Sequence, residues 1–486
     1  MGRHSRSGAR HPRSPYPVVS RGQIVVIAGI ALGLAIAAVL APLALAVTLS
    51  GILLVLFTAS NLLKLVTVRQ ALRDPVVLRV ADDEIRALAA SDLPVYTLLI
   101  PLYHEAQIAS QLIAGIRTLE YPRDKLDIKI LLEADDAETR AAIGSAQLPE
   151  GAEVLTVPDW GPKGKPRACN VGLSRARGQY LVIYDAEDRP EPQQLLKAVA
   201  AFQKVGPWTV CLQAKLSYYN RTQNLLTRLG TAEYSAWFDL LLPGMQSLDV
   251  AMPLGGTSNH FVTERLRELG GWEAYNVTED ADLGVRLYAV GFKAAMFEST
   301  TYEEANCRLG NWLRQRSRWT KGYMQTYLAH MRHPLRQGRR MGPRAFLVFQ
   351  LFFGVATLGL LCNPLYWGLA VAWFTWHVVG IESVFPRAIL YAGTINLLIG
   401  NLAFLLTTMS GCFARRNYRD VKWMLASPLY WALISIAAWK ALLQLASRPY
   451  YWEKTTHGFW THAASPGGSD DRTTRSSVAS LRYPES

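Results

Sequence analysis

The chain has 486 residues, half of them hydrophobic, and a formal net charge of +13. This length suffices for two or three domains. The apolar residues concentrate at residues 24–66 and 345–446, which predicts a membrane protein that carries a soluble insert. The basic residues lie mainly beside these segments and at the termini, so we expect a lipid bilayer as their partner. No nucleic-acid-binding motif is visible, and no nucleic acid is expected.

The chain contains five cysteines, at positions 169, 211, 307, 362 and 412. None forms a CxxC pair, and no histidine cluster lies near them. A zinc site and a disulfide framework are therefore not expected. Scattered unpaired cysteines are typical of a reduced, cytosolic environment.

Residues 1–22 carry five arginines and no acidic residue. This composition predicts a disordered basic arm on the cytoplasmic side of the membrane. Residues 23–68 predict two transmembrane helices with a break at Ala41-Pro42. A cleaved signal peptide is the alternative, because Ala44-Leu45-Ala46 resembles a cleavage site, but the apolar run is too long for one.

Residues 75–300 predict a domain in which strands and helices alternate. The predicted strands are Val95–Ile100, Leu126–Leu132, Glu153–Val157, Tyr180–Tyr184 and Val210–Leu216. This order indicates an α/β fold with a mostly parallel sheet and helices on both faces. Ligands of such sheets bind at the carboxyl ends of the strands. Three strands here end in polar or acidic turns, so we expect these turns to share one crevice.

The strand at Tyr180–Tyr184 runs directly into three acids, Asp185, Glu187 and Asp188. Because the chain turns after the strand, Asp185 and Glu187 can converge on one cation. Hard cations such as Mg²⁺ bind carboxylate oxygens and share their coordination shell with substrate phosphates. The pattern predicts a metal–diphosphate site. The alternative is a solvated acidic turn.

Three further segments carry candidate site residues. Lys163 and Lys165 lie on a Gly/Pro-rich loop before a helix, which favours a diphosphate, although a plain basic surface loop is equally compatible. Residues 253–260 form a Gly-rich turn that suits sugar hydroxyls or is purely structural. At residues 277–283, Thr278 either caps a helix that begins with acids or precedes a general base.

The C-terminal part of the chain returns to the membrane. Residues 301–343 predict interfacial amphipathic helices, because residues 311–329 are basic, aromatic and helical in spacing. Residues 344–447 predict three to four transmembrane or re-entrant helices. Residues 448–486 predict a cytoplasmic tail that is largely disordered.

Five landmarks occur in one order along the chain. They are Tyr103-His104-Glu105, Asp135-Asp136, Asp185-Ala186-Glu187, Thr278-Glu279-Asp280 and Gln315-Arg316-Ser317-Arg318-Trp319. This combination resembles the processive, membrane-embedded family 2 glycosyltransferases, which include the cellulose, chitin and hyaluronan synthases. The resemblance covers roughly residues 90–450. It departs from the family pattern at Glu187, which stands at the second position of the DxD motif with Asp188 beside it.

The resemblance implies a donor site for a UDP-sugar. The residues implied at the uridine are Tyr103 and Glu105, with one or both of Asp135 and Asp136. The residues implied on the diphosphate side are Lys165 and Asn170, with Mg²⁺ (or Mn²⁺) held by Asp185 and Glu187. It leaves open whether Glu187 or Asp188 binds the metal.

The resemblance also implies an acceptor site. Asp280 would be the general base that takes the proton of the acceptor hydroxyl, and Glu279 would support it. The residues implied around the acceptor are Gly256, Asn259, Gln315, Arg318 and Trp319. Of these, Arg318 would lie near the leaving diphosphate and Trp319 would stack on a sugar ring.

The sequence therefore predicts an inverting, multi-pass glycosyltransferase of the inner or plasma membrane with a cytoplasmic catalytic domain. It would transfer a sugar, with glucose expected, from a UDP-sugar to a growing β-linked polysaccharide and couple this to export. One alternative is a single transfer to a lipid-linked acceptor. Another, from a different class, is a transporter or assembly scaffold with a degenerate transferase domain. The sequence leaves partner subunits unknown.

Overall fold

The computed structural model describes residues 17–159, 161–376 and 387–456. Within them the α-helices are α1 (Arg21–Leu40), α2 (Pro42–Arg73), α3 (Asp82–Arg86), α4 (Ala109–Arg117), α5 (Ala137–Ser145), α6 (Lys165–Arg175), α7 (Gln194–Lys204), α8 (Leu225–Ala236), α9 (Leu242–Ser247), α10 (Thr263–Glu268), α11 (Glu279–Ala289), α12 (Leu309–His330), α13 (Pro334–Met341), α14 (Pro343–Phe349), α15 (Ala356–Trp376), α16 (Arg387–Ala414) and α17 (Ser427–Ser447). Two π-helical segments, Trp237–Leu241 and Gln350–Val355, connect α8 to α9 and α14 to α15. Short 3₁₀ segments lie at Ala106–Ile108, Arg123–Lys125 and Tyr418–Ala426.

The strands of the described residues form one eight-stranded sheet. They are β1 (Tyr96–Leu102), β2 (Leu126–Glu133), β3 (Ala152–Val157), β4 (Tyr180–Ile183), β5 (Arg189–Pro190), β6 (Thr209–Tyr218), β7 (Asn259–Val262) and β8 (Lys293–Glu303). The order across the sheet is β3-β2-β1-β4-β7-β6-β8-β5. The five predicted strands are all present.

The sheet is mixed, which corrects the prediction of a mostly parallel sheet. Strands β3, β2, β1 and β4 pair in parallel, and so do β6 and β8. Strand β7 is inserted antiparallel between β4 and β6, and β5 pairs antiparallel with β8. The sequence did not predict β7, because its Asn-His-Phe-Val is short and opens with two polar residues.

Alternation along β1 divides the core into two layers. Tyr96, Leu98 and Ile100 point into one buried apolar cluster, which α4 and α7 cover. Leu99 points into the opposite cluster, which α6 and α11 cover. This period of two follows from the pleat of a strand. Because helices cover both faces, the side of the sheet formed by the carboxyl ends of the strands is left open. We call this side the sheet edge.

Five helical stretches are long and apolar enough to cross a membrane. Among the described residues they are Arg21–Leu40, Pro42–Arg73, Pro343–Leu369, Tyr391–Ala414 and Tyr418–Ser447. The predicted break at Ala41-Pro42 is confirmed, since α1 ends at Leu40 and α2 begins at Pro42. Three of the stretches fall within the predicted interval 344–447 or overlap it. Most of the predicted basic arm lies outside the described residues.

Helix α12 packs inside the protein along α17. Trp312, Ser317 and Thr326 are among the residues that it buries. The prediction of an interfacial amphipathic helix did not anticipate this buried side. Basic and aromatic residues of this helix, Trp312, Arg316 and Lys321 among them, are buried inside the molecule.

Candidate functional site

A cavity of about 1860 Å³ begins at the carboxyl ends of the strands and continues between the apolar helices. The predicted site residues that line it are Tyr103, Glu105, Lys165, Asp185, Glu187, Gly256, Glu279, Asp280, Gln315, Arg318 and Trp319. At its other end the cavity is lined by residues of α2, α15 and α16, including Phe57, Trp367 and Asn396. The fold thus brings together side chains that are more than 200 residues apart in the sequence.

The acids after β4 have different roles. Asp185 forms an ion pair with Lys165, whose ammonium also donates to the carbonyl of Gly256 at 2.7 Å. Asp188 is only 5% exposed and accepts hydrogen bonds from the Asp185 amide at 2.8 Å and from the Thr257 hydroxyl. Its burial, together with the neighbouring acids, raises the pKa of Asp188. Asp188 therefore braces the turn, and this placement favours Glu187 beside Asp185 as the second carboxylate on the cavity.

The charge balance around Asp185 fits a divalent cation. Glu303, at the end of β8, also lines the cavity, and its burial and the acids at 185, 187 and 188 raise the pKa of Glu303. Although burial opposes the charged form of Lys165, the Asp185 and Glu279 carboxylates raise the pKa of Lys165. Lys165 and Arg318 both face these acids, which outnumber them, so a further cation is electrostatically favoured. Hard divalent cations share their coordination shell with substrate phosphates and water, so two carboxylates suffice for such a site.

The acidic pair at the start of α11 lies beside this cluster, with Glu279 buried and Asp280 half-buried. Glu279 is 4% exposed, and burial and the adjacent carboxylate raise its pKa. Burial also raises the pKa of Asp280. The hydrogen bond that its carboxylate accepts from the Ala281 amide at 2.7 Å lowers this pKa, but burial has the larger effect. A carboxyl group with a raised pKa is suited to accept a proton near neutral pH.

Thr278 occupies the N-cap position of α11 without making a side-chain capping bond. Its hydroxyl is buried and has no hydrogen-bond partner in the described structure. It packs instead against Gly322 of α12, where an added Cβ would lie 2.3 Å from the Thr278 Oγ1. The capping interpretation of the Thr278-Glu279-Asp280 segment is therefore not what the structure shows. The glycine lets α12 approach the start of α11.

Helix α12 carries Trp319, whose ring contacts Arg316 and Tyr234. The guanidinium of Arg316 lies 4.7 Å from the centre of the Trp319 ring. The Tyr234 ring is nearly parallel to that of Trp319, with 6.3 Å between the ring centres. Arg316 is held in turn by a two-pronged ion pair with Glu233, one prong being 2.8 Å long. These contacts fix the orientation of Trp319 on the cavity wall.

Four predicted substrate-binding residues do not line the cavity. Asp135 forms an ion pair with Lys163 at 2.5 Å. Asp136 caps α5 and accepts the backbone amide of His104 at 2.5 Å. Asn170 exchanges two hydrogen bonds with the backbone of Trp272, and Asn259 donates to the carbonyl of Gly255 at 2.6 Å. Three of them, Asp135, Asp136 and Asn259, hold partners that do line the cavity, namely Lys163, His104 and Gly255.

Residues 448–456, predicted as the start of the tail, pack across the cavity. The guanidinium of Arg318 lies 4.7 Å from the centre of the Trp452 ring. Lys454 donates to the carbonyl of Tyr103 and forms an ion pair with Glu105 at 3.1 Å. Sequence reasoning missed these residues. The aromatic run at 450–452 was the available signal. Residues 457–486 of the predicted tail lie outside the described residues.

Two family profiles match this chain. The profile of "Glycosyl transferase family group 2" matches residues 180–446, which is more than half of the chain. The chain belongs to this family. The profile of "Glycosyl transferase family 2" matches residues 97–253, which contain β1 to β6. The protein is therefore a glycosyltransferase, as the order of the motifs had predicted.

Individual curated relatives share about a quarter of their aligned residues with this chain. Probable glycosyltransferase YdaM of Bacillus subtilis (strain 168) is 24% identical over 321 residues, which cover 65% of this chain and 72% of that protein. Glucomannan 4-beta-mannosyltransferase 2 of Arabidopsis thaliana is 24% identical over 293 residues, 56% of this chain and 52% of that protein. This glycosyltransferase thus spans about half the length of that plant relative.

A solved structure shares the fold. The mannosyltransferase PcManGT from Pyrobaculum calidifontis, in complex with GDP-Man and Mn²⁺, has a TM-score of 0.52 and 19% identity. The match covers 82% of this chain and 98% of that one. At this identity the likeness concerns the architecture.

Proposed function

We propose that this glycosyltransferase transfers a hexose from a nucleotide-diphosphate sugar to an acceptor that lies along the membrane helices. The observation that carries the proposal is the continuity of the cavity. It joins the acids and Lys165 at the sheet edge to Asp280 and Trp319, and then runs between the apolar helices. The protein would be a multi-pass protein of the inner or plasma membrane with its catalytic domain in the cytoplasm.

The donor diphosphate would bind between Lys165, Arg318 and the two carboxylates on the turn. Asp185 and Glu187 would hold Mg²⁺ or Mn²⁺, which supplies charge neutralisation for the leaving nucleotide. Tyr103 would face the base. Since UDP-glucose was the predicted donor and the named relatives include mannosyltransferases, the donor belongs to the hexoses of UDP or GDP.

Asp280 would take the proton of the acceptor hydroxyl as that oxygen attacks the anomeric carbon. One displacement at that carbon forms the new glycosidic bond, breaks the bond to the diphosphate and inverts the configuration. Glu279, buried beside it with a raised pKa, would stay protonated and limit the negative charge of the pair. Such a base contributes about 10²–10⁴-fold to the rate.

Trp319 would bind the apolar face of the acceptor sugar, because its ring is held by Arg316 and Tyr234 on the cavity wall. Beyond it, aromatic and amide side chains such as Trp367 and Asn396 line the path between the helices. This lining suits a β-linked polysaccharide that is extended and exported. The alternative is a single transfer to a lipid-linked acceptor, which the same path would accommodate.

The test is nucleotide release by the purified protein across UDP- and GDP-hexoses with Mg²⁺ or Mn²⁺, followed by sizing of the product. Release with one donor and a long glycan supports the proposed synthase. A single-sugar glycolipid supports the alternative. Asp280→Asn is the matched control and should release little nucleotide. No release with any donor, from protein shown to be folded, contradicts the proposal and favours a scaffold or transporter.

A further inference from the structure

The cations that line the cavity differ in one respect. In the described residues, those near the sheet edge each have a protein partner: Lys163 with Asp135, Lys165 with Asp185, Arg316 with Glu233, Arg318 with the Glu453 carbonyl, and Lys454 with Glu105. Lys64 of α2 also lines the cavity. Among the described residues, no ion pair, hydrogen bond or ring contact engages its ammonium.

Lys64 lies where the cavity passes from the sheet edge into the apolar helices. One turn further along α2, Thr67 is buried against Gly244 of α9, so closely that an added Cβ on that glycine would lie 2.1 Å from the Thr67 carbonyl oxygen. One turn earlier, Asn61 donates to Asn396 of α16 at 3.4 Å. Lys64 is therefore held on the cavity wall by close packing on one side and a polar interhelical contact on the other.

Lys64 lies too far from the end of α2 for its ammonium to be explained by hydration at the membrane surface. About two and a half turns of α2 separate it from Arg73, the end of the helix. By contrast, Lys440 of α17, a second half-buried lysine among the apolar helices, has its counter-ion in Glu453 at 2.7 Å. An ammonium in an apolar passage without such a partner is costly, and ionisable groups at such depths are typically functional.

We propose that Lys64 binds an anionic group of the acceptor, and that this group is the phosphate that joins the acceptor to a membrane lipid. The proposal rests on the proposed function and, of the two acceptors named there, selects the lipid-linked one. The apolar side chains beside Lys64, Leu54, Phe57 and Phe352 among them, suit the hydrocarbon chain of such a lipid. The phosphate would bind at Lys64, and the sugar would reach Trp319 and Asp280, which line the same cavity.

The test is equilibrium binding to the full chain in detergent, followed by native mass spectrometry. The probes are farnesyl phosphate and farnesol, which differ only in the phosphate. We expect the phosphate to improve the dissociation constant by about ten- to hundredfold, as one charged hydrogen-bonded contact does. Lys64→Met should abolish this preference and Lys64→Arg should keep it. The matched control, Lys422→Met, removes an exposed lysine and should change nothing.

Equal binding of both probes by the wild-type chain would overturn the proposal. So would a preference for farnesyl phosphate that survives in Lys64→Met. A third probe, an oligosaccharide with a glucuronate end, separates the sources of the anion: Lys64-dependent binding of that probe alone would replace the lipid phosphate by an acidic glycan. Nucleotide release by the wild-type chain is measured in parallel. Lys64-dependent binding without any release would contradict the proposed function and leave the acceptor site standing.

Discussion

Gly322 of α12 packs so closely against the start of α11 that one added methyl group should push Asp280 away from Trp319. A Cβ at this position would lie 2.3 Å from the Thr278 Oγ1 and 2.7 Å from its Cβ. Contacts this short force a backbone shift, since the Cβ of Thr278 cannot rotate away. Overpacking of this kind costs about 1–3 kcal/mol of folding stability. The shift would move Asp280, at the second position of α11, away from Trp319.

The expected result for Gly322→Ala is a loss of transfer of about a hundredfold, because displacing reacting groups by about 1 Å has that effect. The assay compares kcat for transfer with thermal unfolding of the same preparation. Gly144→Ala on α5 is the matched control, since no atom lies within 4 Å of its added Cβ and helix propensity favours alanine.

A double variant tests whether the loss of activity comes from the contact between residue 322 and Thr278. Thr278→Ala removes the two closest atoms, and because the Thr278 hydroxyl has no partner in the described structure it should cost little by itself. Gly322→Ala combined with Thr278→Ala should therefore recover part of the lost activity, which a double-mutant cycle measures. A fully active and stable Gly322→Ala would refute the claim that this contact sets the geometry of the site.

Three further predictions concern single groups. Asp280→Asn should reduce transfer by about 10²–10⁴-fold while nucleotide binding, measured by calorimetry, stays within a few fold; joint loss would indicate misfolding. Trp319→Ala should shorten the product more than it slows donor hydrolysis, and equal losses would rule out sugar stacking. Because the pKa of Asp280 is raised, kcat/KM should rise with pH through a value above that of an ordinary aspartate as the base loses its proton; a pH profile that is flat from pH 5 to 8, shared by Asp280→Asn, would exclude that role.

The parallel half of the sheet could be predicted because its strands are mostly apolar and three of them are followed by polar or acidic turns. Strand β8 could not, since Lys293–Glu303 mixes charged, small and polar residues and is stabilised by pairing with β6. The antiparallel β7 is likewise set by its neighbours on both sides rather than by its own four residues. Local patterns report local preferences, and these two strands depend on contacts distant in sequence.

The acids of the site were predicted because motif and spacing lie within short segments. The roles of Asp136 and Asp188 were not, since a helix cap and a turn brace are set by which backbone amides lie nearby. Lys454 reaches Glu105 across some 350 residues of sequence, and no local pattern reports such a pair. The same holds for the free ammonium of Lys64, which is recognised only by comparing partners in three dimensions.

The central claim is that one cavity holds the donor at the sheet edge and the acceptor along the membrane helices. The most direct measurement is a cryo-EM structure of Asp280→Asn in lipid nanodiscs with its nucleotide-sugar donor and Mn²⁺. The account predicts the diphosphate between Lys165 and Arg318, with the anomeric carbon facing residue 280. It also predicts saccharide density over Trp319. A nucleotide bound away from this cavity, or an acceptor that approaches from the solvent side, would contradict the account.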